Sequence, residues 1–352
     1  MVLSTLAVPV IAAPMAGGPS TPELAAAVSE AGGLGFLAAG YLTAGQVGEQ
    51  VAEVWSRTTR PFGVNVFVPE SANTYAVAPG QLGGEDRARA VEVYRARLTG
   101  EARRLGIELP QARPDDTDDW ERKLDLLVRE RVAVVSFTFG LPSPGVVREL
   151  QRAGIETVAT VSDLDEAETA LAGGVDALCV QGVDAGGHRG TLDPAKDPVD
   201  SDAVDLVRQV RGLTELPLVA AGNLGTVDRA RLAREAGADA VQVGTGFLLT
   251  PEAGTSLAYR RALTDRRFTE TVVTRAFSGR HARSLANEFV RAHAHAAPAA
   301  YPEVHHVTSA IRRAAAAADD PSLMALWAGT GWRDIEPVPA AVVVADLAAA
   351  LT

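Results

Sequence analysis

The chain has 352 residues, 47% hydrophobic and 22% charged, which is the balance of an ordinary globular protein. A formal net charge of -11 argues against a nucleic-acid partner, because a phosphate-binding surface needs an excess of Lys and Arg. One cysteine excludes a disulfide framework and a thiolate metal cluster. No apolar run reaches the roughly 18 residues of a membrane span. The N-terminal segment also lacks the basic start of a signal peptide, so we expect a cytoplasmic protein without a membrane partner.

The first part of the chain predicts three strands alternating with two helices. Apolar runs predict buried parallel strands over 8–13, 34–39 and 61–68. Helical spacing of apolar residues predicts helices over 21–31 and 43–56. This alternation is typical of an α/β fold with a parallel sheet.

The segment 69–119 breaks the alternation because it is polar and rich in Arg, Glu and Asp. It contains Pro79 and Gly80, and its apolar spacing predicts one helix over 85–105. We therefore expect a mostly helical insertion between two core elements. An excursion of this length is usually functional or disordered.

From residue 120 the alternation resumes and continues to residue 243. The predicted helices cover 120–130, 144–153, 163–172, 199–211 and 227–236, and the predicted strands cover 132–137, 156–161, 177–181, 217–221 and 240–243. Beyond residue 250 the Ala-rich sequence predicts helices without a further strand, ending in a closing helix over 340–351. Eight strand patterns separated by helices predict a (β/α)8 TIM barrel. A doubly wound open sheet with one miscounted strand is the alternative.

Glycines cluster after the predicted strands, at the end where a barrel carries its catalytic residues. The turn after the seventh strand contains Gly222, and the turn after the eighth contains Gly244 and Gly246. Two such turns together predict a phosphate held by backbone N–H groups at helix N-termini, although each alone is also an ordinary strand–helix connection.

The glycines over 31–40 follow a helix and precede a strand. Because a dinucleotide fingerprint needs the reverse order, we reject a Rossmann site.

His188 follows the sixth predicted strand, with Gly187 before it and Gly190 after it. An imidazole at this end of a barrel is a candidate general base, and a loop histidine held for structure is the alternative. The remaining tail histidines have no acidic or Cys neighbour at ligand spacing, so we expect surface or interface positions and no metal site. They are His293, His295, His305 and His306, while the position of His281 stays open.

Two amide side chains lie in or at the end of predicted strands. Asn65 interrupts the apolar run PFGVNVF, and Gln181 ends the sixth strand. A buried amide needs partners, and its paired donor and acceptor suit the edge of a heterocycle. Together with a phosphate site they predict a pocket for flavin mononucleotide (FMN). Cys179, inside the sixth strand, is interpreted as a buried and inert thiol.

The sequence resembles the nitronate monooxygenase family, formerly called 2-nitropropane dioxygenases. The matching motifs include IAAPMAGGPS near the N-terminus, PFGVNVF, QGVDAGGHRG, PLVAAGNLGT, VQVGTGFLLT and FSGRHAR, and they occur in family order between residues 10 and 283. The resemblance implies an FMN-binding barrel with His188 as the catalytic histidine. It implies FMN contacts at Ala13, Pro14, Met15, Ala16, Asn65, Gln181, Gly186, Gly187, Gly222, Asn223, Gln242, Val243, Gly244 and Thr245. The chain has AGN at 221–223 where many relatives have AGG, and Asn tolerates a left-handed backbone better than most residues.

The resemblance also implies the reaction: a nitronate or nitroalkane is oxidised with O2 to a carbonyl compound and nitrite. It divides the chain into an FMN-binding barrel (1–68, 120–250 and 338–352), the insertion (69–119) and a helical substrate-capping region (251–337). Arg280 of FSGRHAR is a candidate substrate contact, with an ordinary surface arginine as the alternative. The apolar stretch 314–318 raises the prospect of a homodimer.

Three other functions stay open at this point. An FMN enzyme that uses NAD(P)H, such as an enoyl-thioester or quinone reductase, would carry the same flavin motifs. A flavin-free phosphate-binding barrel, such as an isomerase or lyase, would need only the two glycine turns. A catalytically silent flavin-binding protein is the third, although the intact AGGHRG loop argues against it.

Overall fold

The computed structural model describes residues 2–75 and 83–351, and its centre is a sheet of eight parallel strands. Each strand is short and almost wholly buried, as expected for strands covered on both faces. The strands are β1 (Val10–Ala12), β2 (Gly35–Ala38), β3 (Phe62–Phe67), β4 (Val134–Thr138), β5 (Glu156–Val161), β6 (Ala177–Gln181), β7 (Leu218–Ala221) and β8 (Ala240–Val243).

The sheet closes on itself. Its strand order ends with β1 beside β8 on one side and with β2 on the other. Ile11 and Leu34 form a parallel bridge across the remaining gap, and the N–H of Leu34 donates to the carbonyl oxygen of Val10 (2.9 Å). The predicted (β/α)8 barrel is therefore confirmed, and the alternative of an open doubly wound sheet is wrong.

Eight helices surround the strands or close the barrel, most of them amphipathic with an apolar face on the sheet. They are α1 (Pro22–Glu30), α2 (Ala44–Arg57), α5 (Trp120–Glu130), α6 (Pro144–Arg152), α7 (Leu164–Ala172), α8 (Ala203–Arg211) and α9 (Val227–Glu235), and α13 (Ala340–Leu351) packs beside α9 and α1. Side-chain N-caps begin six of them: Thr21, Thr43, Ser143, Asp163, Asp202 and Thr226. These predicted elements are confirmed to within a few residues at their ends.

The amino ends of the strands are closed by the first residues of the chain. The carboxylate of Glu156, at the start of β5, accepts from the N–H groups of Val2 (2.6 Å) and Leu3 (3.2 Å). Burial raises the pKa of Glu156, while these two N–H groups lower it. Because this end is plugged, a ligand has access only from the carboxyl ends of the strands.

The insertion contains two helices, α3 (Gly84–Arg97) and α4 (Thr99–Leu105), in place of the single predicted helix. The chain bends at Leu98, where the backbone leaves helical geometry (φ -81°, ψ 2°) and the side chain is fully buried. Pro79 and Gly80, noted in the sequence analysis, lie outside the described residues. The hydroxyl of Tyr94 donates to the carbonyl oxygen of Ala276 (2.7 Å), so the insertion packs against the C-terminal region.

The region 251–337, here called the cap, covers the carboxyl ends of the barrel strands. Its helices are α10 (Leu257–Thr264), α11 (Glu288–His293) and α12 (Glu303–Ala317). The prediction that no further strand follows residue 250 is wrong, because Thr271–Thr274 and Ala282–Leu285 form an antiparallel pair. Gly187–His188, from the loop after β6, adds a third strand, and we call these three the cap sheet.

Among residues 2–75 and 83–351, no helix is both long and apolar enough to cross a membrane.

Candidate active site

A cavity of about 640 Å³ opens at the carboxyl ends of the barrel strands and extends under the cap. Its walls come from the turns after the strands and from the cap. Every FMN contact that the family resemblance implies, together with His188, lines this one cavity. No described residue of the insertion lines it, so the described part of the insertion contributes packing rather than lining.

The turn after β7 has the backbone geometry of an anion cradle. Gly222 has φ 120° and Asn223 has φ 54°, so two successive residues adopt the left-handed region. A Cβ on Gly222 would lie 3.2 Å from the carbonyl oxygen of Gly182, so a side chain would also crowd the neighbouring turn. Within the described residues, no acceptor pairs with the N–H of either Gly222 or Asn223. These two donors are therefore available to a ligand.

The turn after β8 approaches the cavity from the other side. The chain forms a single 3-10 turn, Thr245–Phe247, and the next helix begins only at α10. The prediction that these glycines open a helix is therefore wrong. The Thr245 hydroxyl accepts from the N–H of Gly329 in the cap (3.0 Å), and this bond ties the turn to the cap.

The loop after β6 passes close to the same cap segment. A Cβ on Gly186 would lie 2.4 Å from the backbone nitrogen of Gly329, which allows no side chain at this position. Gly187 has φ 74°, a conformation that favours glycine. The two glycines of the AGGHRG motif therefore let the backbone of this loop fit between the cavity and the cap.

The two predicted amides both line the cavity but use their hydrogen bonds differently. Nδ2 of Asn65 donates to the hydroxyls of Ser136 (2.9 Å) and Thr138 (2.9 Å). Oδ1 of Asn65 has no partner among the described residues and is left as an acceptor. Nε2 of Gln181 donates to the carbonyl oxygen of His188 (3.0 Å), and its Oε1 accepts from the N–H of Gly190 (2.8 Å). Gln181 therefore holds the His188 loop in place.

A buried arginine and a buried glutamate complete the support of this loop. The guanidinium of Arg189 donates to the carbonyl oxygens of Gln181 (3.0 Å) and Gly182, at the end of β6. The carboxylate of Glu166 accepts from the N–H of Leu192 (2.8 Å). Since both side chains are almost fully buried, the backbone on each side of His188 is fixed.

His188 lies between the cavity and the cap. Its Nε2 is 2.8 Å from the hydroxyl of Ser278, and its ring packs near Phe139 (5.3 Å between centroids) and Trp327 (5.2 Å). Burial first, and then the charges of Arg280 and Arg312, lower the pKa of His188 from 6.5 to about 3. The imidazole is therefore neutral at physiological pH. Ser278 lies in the FSGRHAR motif, but the sequence analysis did not select it because only the fold brings it to His188.

Arg280 does not line the cavity, so its prediction as a substrate contact is not supported. Its guanidinium is buried between the rings of Phe139 (4.3 Å to the centroid) and Tyr301 (5.3 Å). Its Nη atoms donate to the carbonyl oxygens of Thr191 (2.8 Å) and Phe139 (3.1 Å). These bonds join the cap to the loops after β4 and β6.

The far wall of the cavity contains residues that the sequence analysis did not select. Tyr41 stacks on His305 of α12 (3.9 Å between centroids, 8° between planes). Arg312, two turns further along α12, also lines the cavity and donates from Nη2 to His305 Nδ1 (3.1 Å). The seven-residue spacing of His305 and Arg312 places both side chains on one face of α12, and this spacing was visible in the sequence. Nothing in the sequence showed that this face borders the cavity.

Of the four tail histidines predicted at surface or interface positions, only His295 is exposed. His293 is buried and bonds Glu101 (2.8 Å), and His306 is buried and bonds Asp116 (2.9 Å). His305 lines the cavity, where burial and nearby positive charge hold its pKa well below 6.5. Both acidic partners lie in the insertion, and the sequence alone does not show that the insertion packs against these histidines. Within the described residues, no group of three or more His, Cys, Asp or Glu is arranged to hold a metal ion.

Cys179 is buried, as predicted, and burial raises the pKa of its thiol to about 12. Nε2 of Gln242 donates to its sulfur (3.4 Å). The thiol is therefore protonated and inert at physiological pH.

Comparison with known families settles the class of protein. A family model described as "Nitronate monooxygenase" matches residues 2–350. The chain belongs to the nitronate monooxygenase family. A probable nitronate monooxygenase of Staphylococcus aureus (strain MSSA476) is 34% identical over 342 residues, covering 96% of this chain and 93% of that protein. As a member of the nitronate monooxygenase family, the chain is an oxidoreductase.

Solved structures agree with this assignment. The nitroalkane oxidase of Streptomyces ansochromogenes is 45% identical, with a TM-score of 0.90 over 99% of this chain and 97% of that one. FabK from Thermotoga maritima is 25% identical, with a TM-score of 0.73 over 99% of this chain and 95% of that one. The nitronate monooxygenase and the nitroalkane oxidase thus resemble this chain more strongly than FabK does.

Proposed function

We propose that the chain is an FMN-dependent monooxygenase that oxidises alkyl nitronates, and neutral nitroalkanes after removal of the α-proton. The observation that carries the proposal is that the FMN contacts implied by resemblance and His188 meet in one cavity. The nitronate would lie between the flavin and the cap, beside His188. The three-part division of the chain, with the cap covering the substrate, belongs to the same proposal.

The cavity suits FMN because its donors match the two ends of that cofactor. At one end, the free N–H groups of Gly222 and Asn223 and the turn at Gly244 would bind the single phosphate. At the other end, Oδ1 of Asn65 would accept from the ring N–H, with Gln181 beside the ring edge. When bound, FMN supplies the electron acceptor that passes electrons from the nitronate to O2.

His188 would act through the ring nitrogen that Ser278 does not occupy. The Ser278 hydroxyl donates to the carbonyl oxygen of Arg280 (3.3 Å), so its lone pairs are left to accept from Nε2–H of His188. This arrangement favours the tautomer with an unprotonated Nδ1. Nδ1 has no partner within the described residues, so it is free to take the α-proton of a neutral nitroalkane.

Ser278→Ala should therefore slow the oxidation of a neutral nitroalkane by about tenfold to a hundredfold, because the tautomer of His188 is no longer held. A preformed nitronate, which has already lost its proton, should change by less. Steady-state oxygen uptake with both substrates measures the difference. Ser56→Ala, at an exposed position of α2 outside the cavity, is the control and should change neither rate by more than about twofold. An equal loss on both substrates in Ser278→Ala would contradict the tautomer argument.

The pH profile for a neutral nitroalkane tests the low pKa of His188. Because burial and two arginines lower this pKa from 6.5 to about 3, the imidazole stays unprotonated as the pH falls through 6.5. We expect kcat/KM, which reports the free enzyme, to remain flat between about pH 8 and pH 5. An acid limb centred near 6.5 would show that the cavity does not lower the pKa of His188.

The experiment that tests the proposed function combines cofactor identification with three oxidation assays. The flavin of the purified protein is identified by chromatography, and oxygen uptake is followed with a preformed nitronate, with a neutral nitroalkane and with NAD(P)H alone. We expect FMN and rapid uptake with the nitronate. Uptake with NAD(P)H alone would favour a reductase, and protein without flavin would favour a phosphate-binding isomerase or lyase.

A homodimer stays a prediction. The stretch 314–318 that raised it ends α12, where Ala315 is buried within the chain and Ala316 lines the cavity. Its small side chains are thus partly explained by packing within one subunit.

A further inference from the structure

Arg312 is a cation in the cavity that lacks an acidic partner. Its Nη2 donates to Nδ1 (3.1 Å) and the carbonyl oxygen (3.0 Å) of His305, and its Nε is buried without any partner among the described residues. The ionisable groups that act on it are Tyr41, Tyr301 and Arg313, none of which is a carboxylate. A desolvated guanidinium without a counter-ion is costly, so this charge calls for an anion.

Four other buried cations of the described chain pair with carboxylates or donate to backbone carbonyl oxygens. Lys123 pairs with Asp118 (2.7 Å), and Arg87 pairs with Glu303 (2.7 Å). Arg189 and Arg280 donate from their Nη atoms to backbone carbonyl oxygens, although the Nε of each also lacks a partner among the described residues. Arg312 differs from all of these because it lines the cavity itself.

The position of Arg312 relates it to the reacting end of the cavity. The positive charges of Arg312 and Arg280 both act on His188 and lower its pKa. Beside Arg312, the ring of Tyr41 stacks on His305, and Nδ1 of His305 accepts a hydrogen bond from the guanidinium of Arg312. These contacts fix the orientation of the guanidinium. An anion bound next to His188 would therefore meet a positive charge that the empty protein leaves uncompensated.

We propose that Arg312 is a specificity-determining residue: it supplies the counter-ion for the nitronate and so selects the anion over the neutral nitroalkane. This inference rests on the proposed function. A nitronate carries its negative charge on two oxygens of one planar group, and a guanidinium can pair with such a group through parallel N–H donors. The neutral nitroalkane lacks the charge and gains little from the same donors.

The test compares a charged and an uncharged ligand of similar shape. The charged ligand is the preformed nitronate of 2-nitropropane, measured by its KM in oxygen uptake. The uncharged ligand is 2-methyl-2-nitropropane, which has no α-proton and is measured as a competitive inhibitor. In Arg312→Gln we expect the nitronate KM to rise by about tenfold to a hundredfold, since a hydrogen bond to a charged group is lost. The inhibition constant of the neutral compound should stay within about twofold.

Two further variants sharpen the result. Arg291→Gln removes an exposed charge on α11 that does not line the cavity, so it should leave both constants nearly unchanged. Arg312→Lys keeps the charge and should recover part of the nitronate KM. FMN content is measured in every variant.

Several outcomes would overturn the inference. These are an equal change in both ligands, an equal effect of Arg291→Gln, or loss of FMN from Arg312→Gln, which would assign the charge to the cofactor. Failure of the proposed function is a separate result, because the wild-type protein would then not consume oxygen with the nitronate at all.

Discussion

His188→Asn should slow the oxidation of a neutral nitroalkane by about two to four orders of magnitude. The neutral imidazole lies beside the cavity with Nε2 occupied by Ser278 and the other ring nitrogen free. Asn cannot take a proton at that position, so the α-proton would have to leave to water. A preformed nitronate needs no such step and should lose less than about tenfold. Oxygen uptake with matched neutral and anionic forms of one nitroalkane measures both rates.

The control for this variant is His295→Asn, since His295 is exposed in the middle of a short turn in the cap. It should leave both rates unchanged. FMN content should also be unchanged in His188→Asn, because the proposed phosphate and ring donors come from other residues. An equal loss on both substrates would give His188 a binding or electrostatic role in place of proton transfer. No loss on either would remove it from the mechanism.

Gly244→Asp should raise the dissociation constant of FMN by about a hundredfold, because a carboxylate there would face the phosphate at close range. The backbone of Gly244 (φ -108°) accepts a side chain, so the fold itself is not strained. A Cβ at this position would lie 3.3 Å from Cβ of Ala13 and 3.7 Å from the sulfur of Met15, both on the cavity wall. Flavin content after dialysis and fluorescence titration with FMN measure the effect.

Gly244→Ala separates charge from bulk, because it adds only the Cβ and should lose much less affinity than Asp. Gly84→Asp, in the insertion, adds the same charge where a Cβ meets nothing within 4 Å, and it should keep its flavin. Gly222→Asp should also lose FMN, and there the left-handed φ of 120° adds backbone strain. Full flavin content in Gly244→Asp would show that the phosphate does not bind at this turn.

The barrel could be predicted from the sequence because its signals are local. The strands β5 and β6 and the helices α5 and α13 begin and end at the predicted residues. The positions of the glycine turns after β7 and β8 could be predicted from the same alternation of strands and helices. Parallel strands bring their carboxyl ends to one face of a barrel, so both turns are expected at that face. Loop positions at that face therefore converge without any knowledge of tertiary packing.

The cap could not be predicted in the same way because its contacts are distant in sequence. The strand Thr271–Thr274 is only four residues long and pairs with a partner that begins eight residues after it ends. His306 bonds Asp116, which lies 190 residues away in the insertion. Arg280 and Arg312 carry equal charge in the same tail, and only packing separates the one buried among aromatic rings from the one on the cavity wall.

The cap sheet has a consequence for how substrate enters and leaves. Gly187–His188 is a loop of the barrel and also an edge strand of the cap sheet, paired with Ala282 and Arg283. Lifting the cap as a hinged door would break this ladder and pull the histidine away from the flavin side of the cavity. Substrate entry and product release should therefore proceed by side-chain rearrangement along α12, without movement of the whole cap. Nuclear magnetic resonance or hydrogen exchange should then find slow exchange at the Ala282 and Arg283 amides even during turnover.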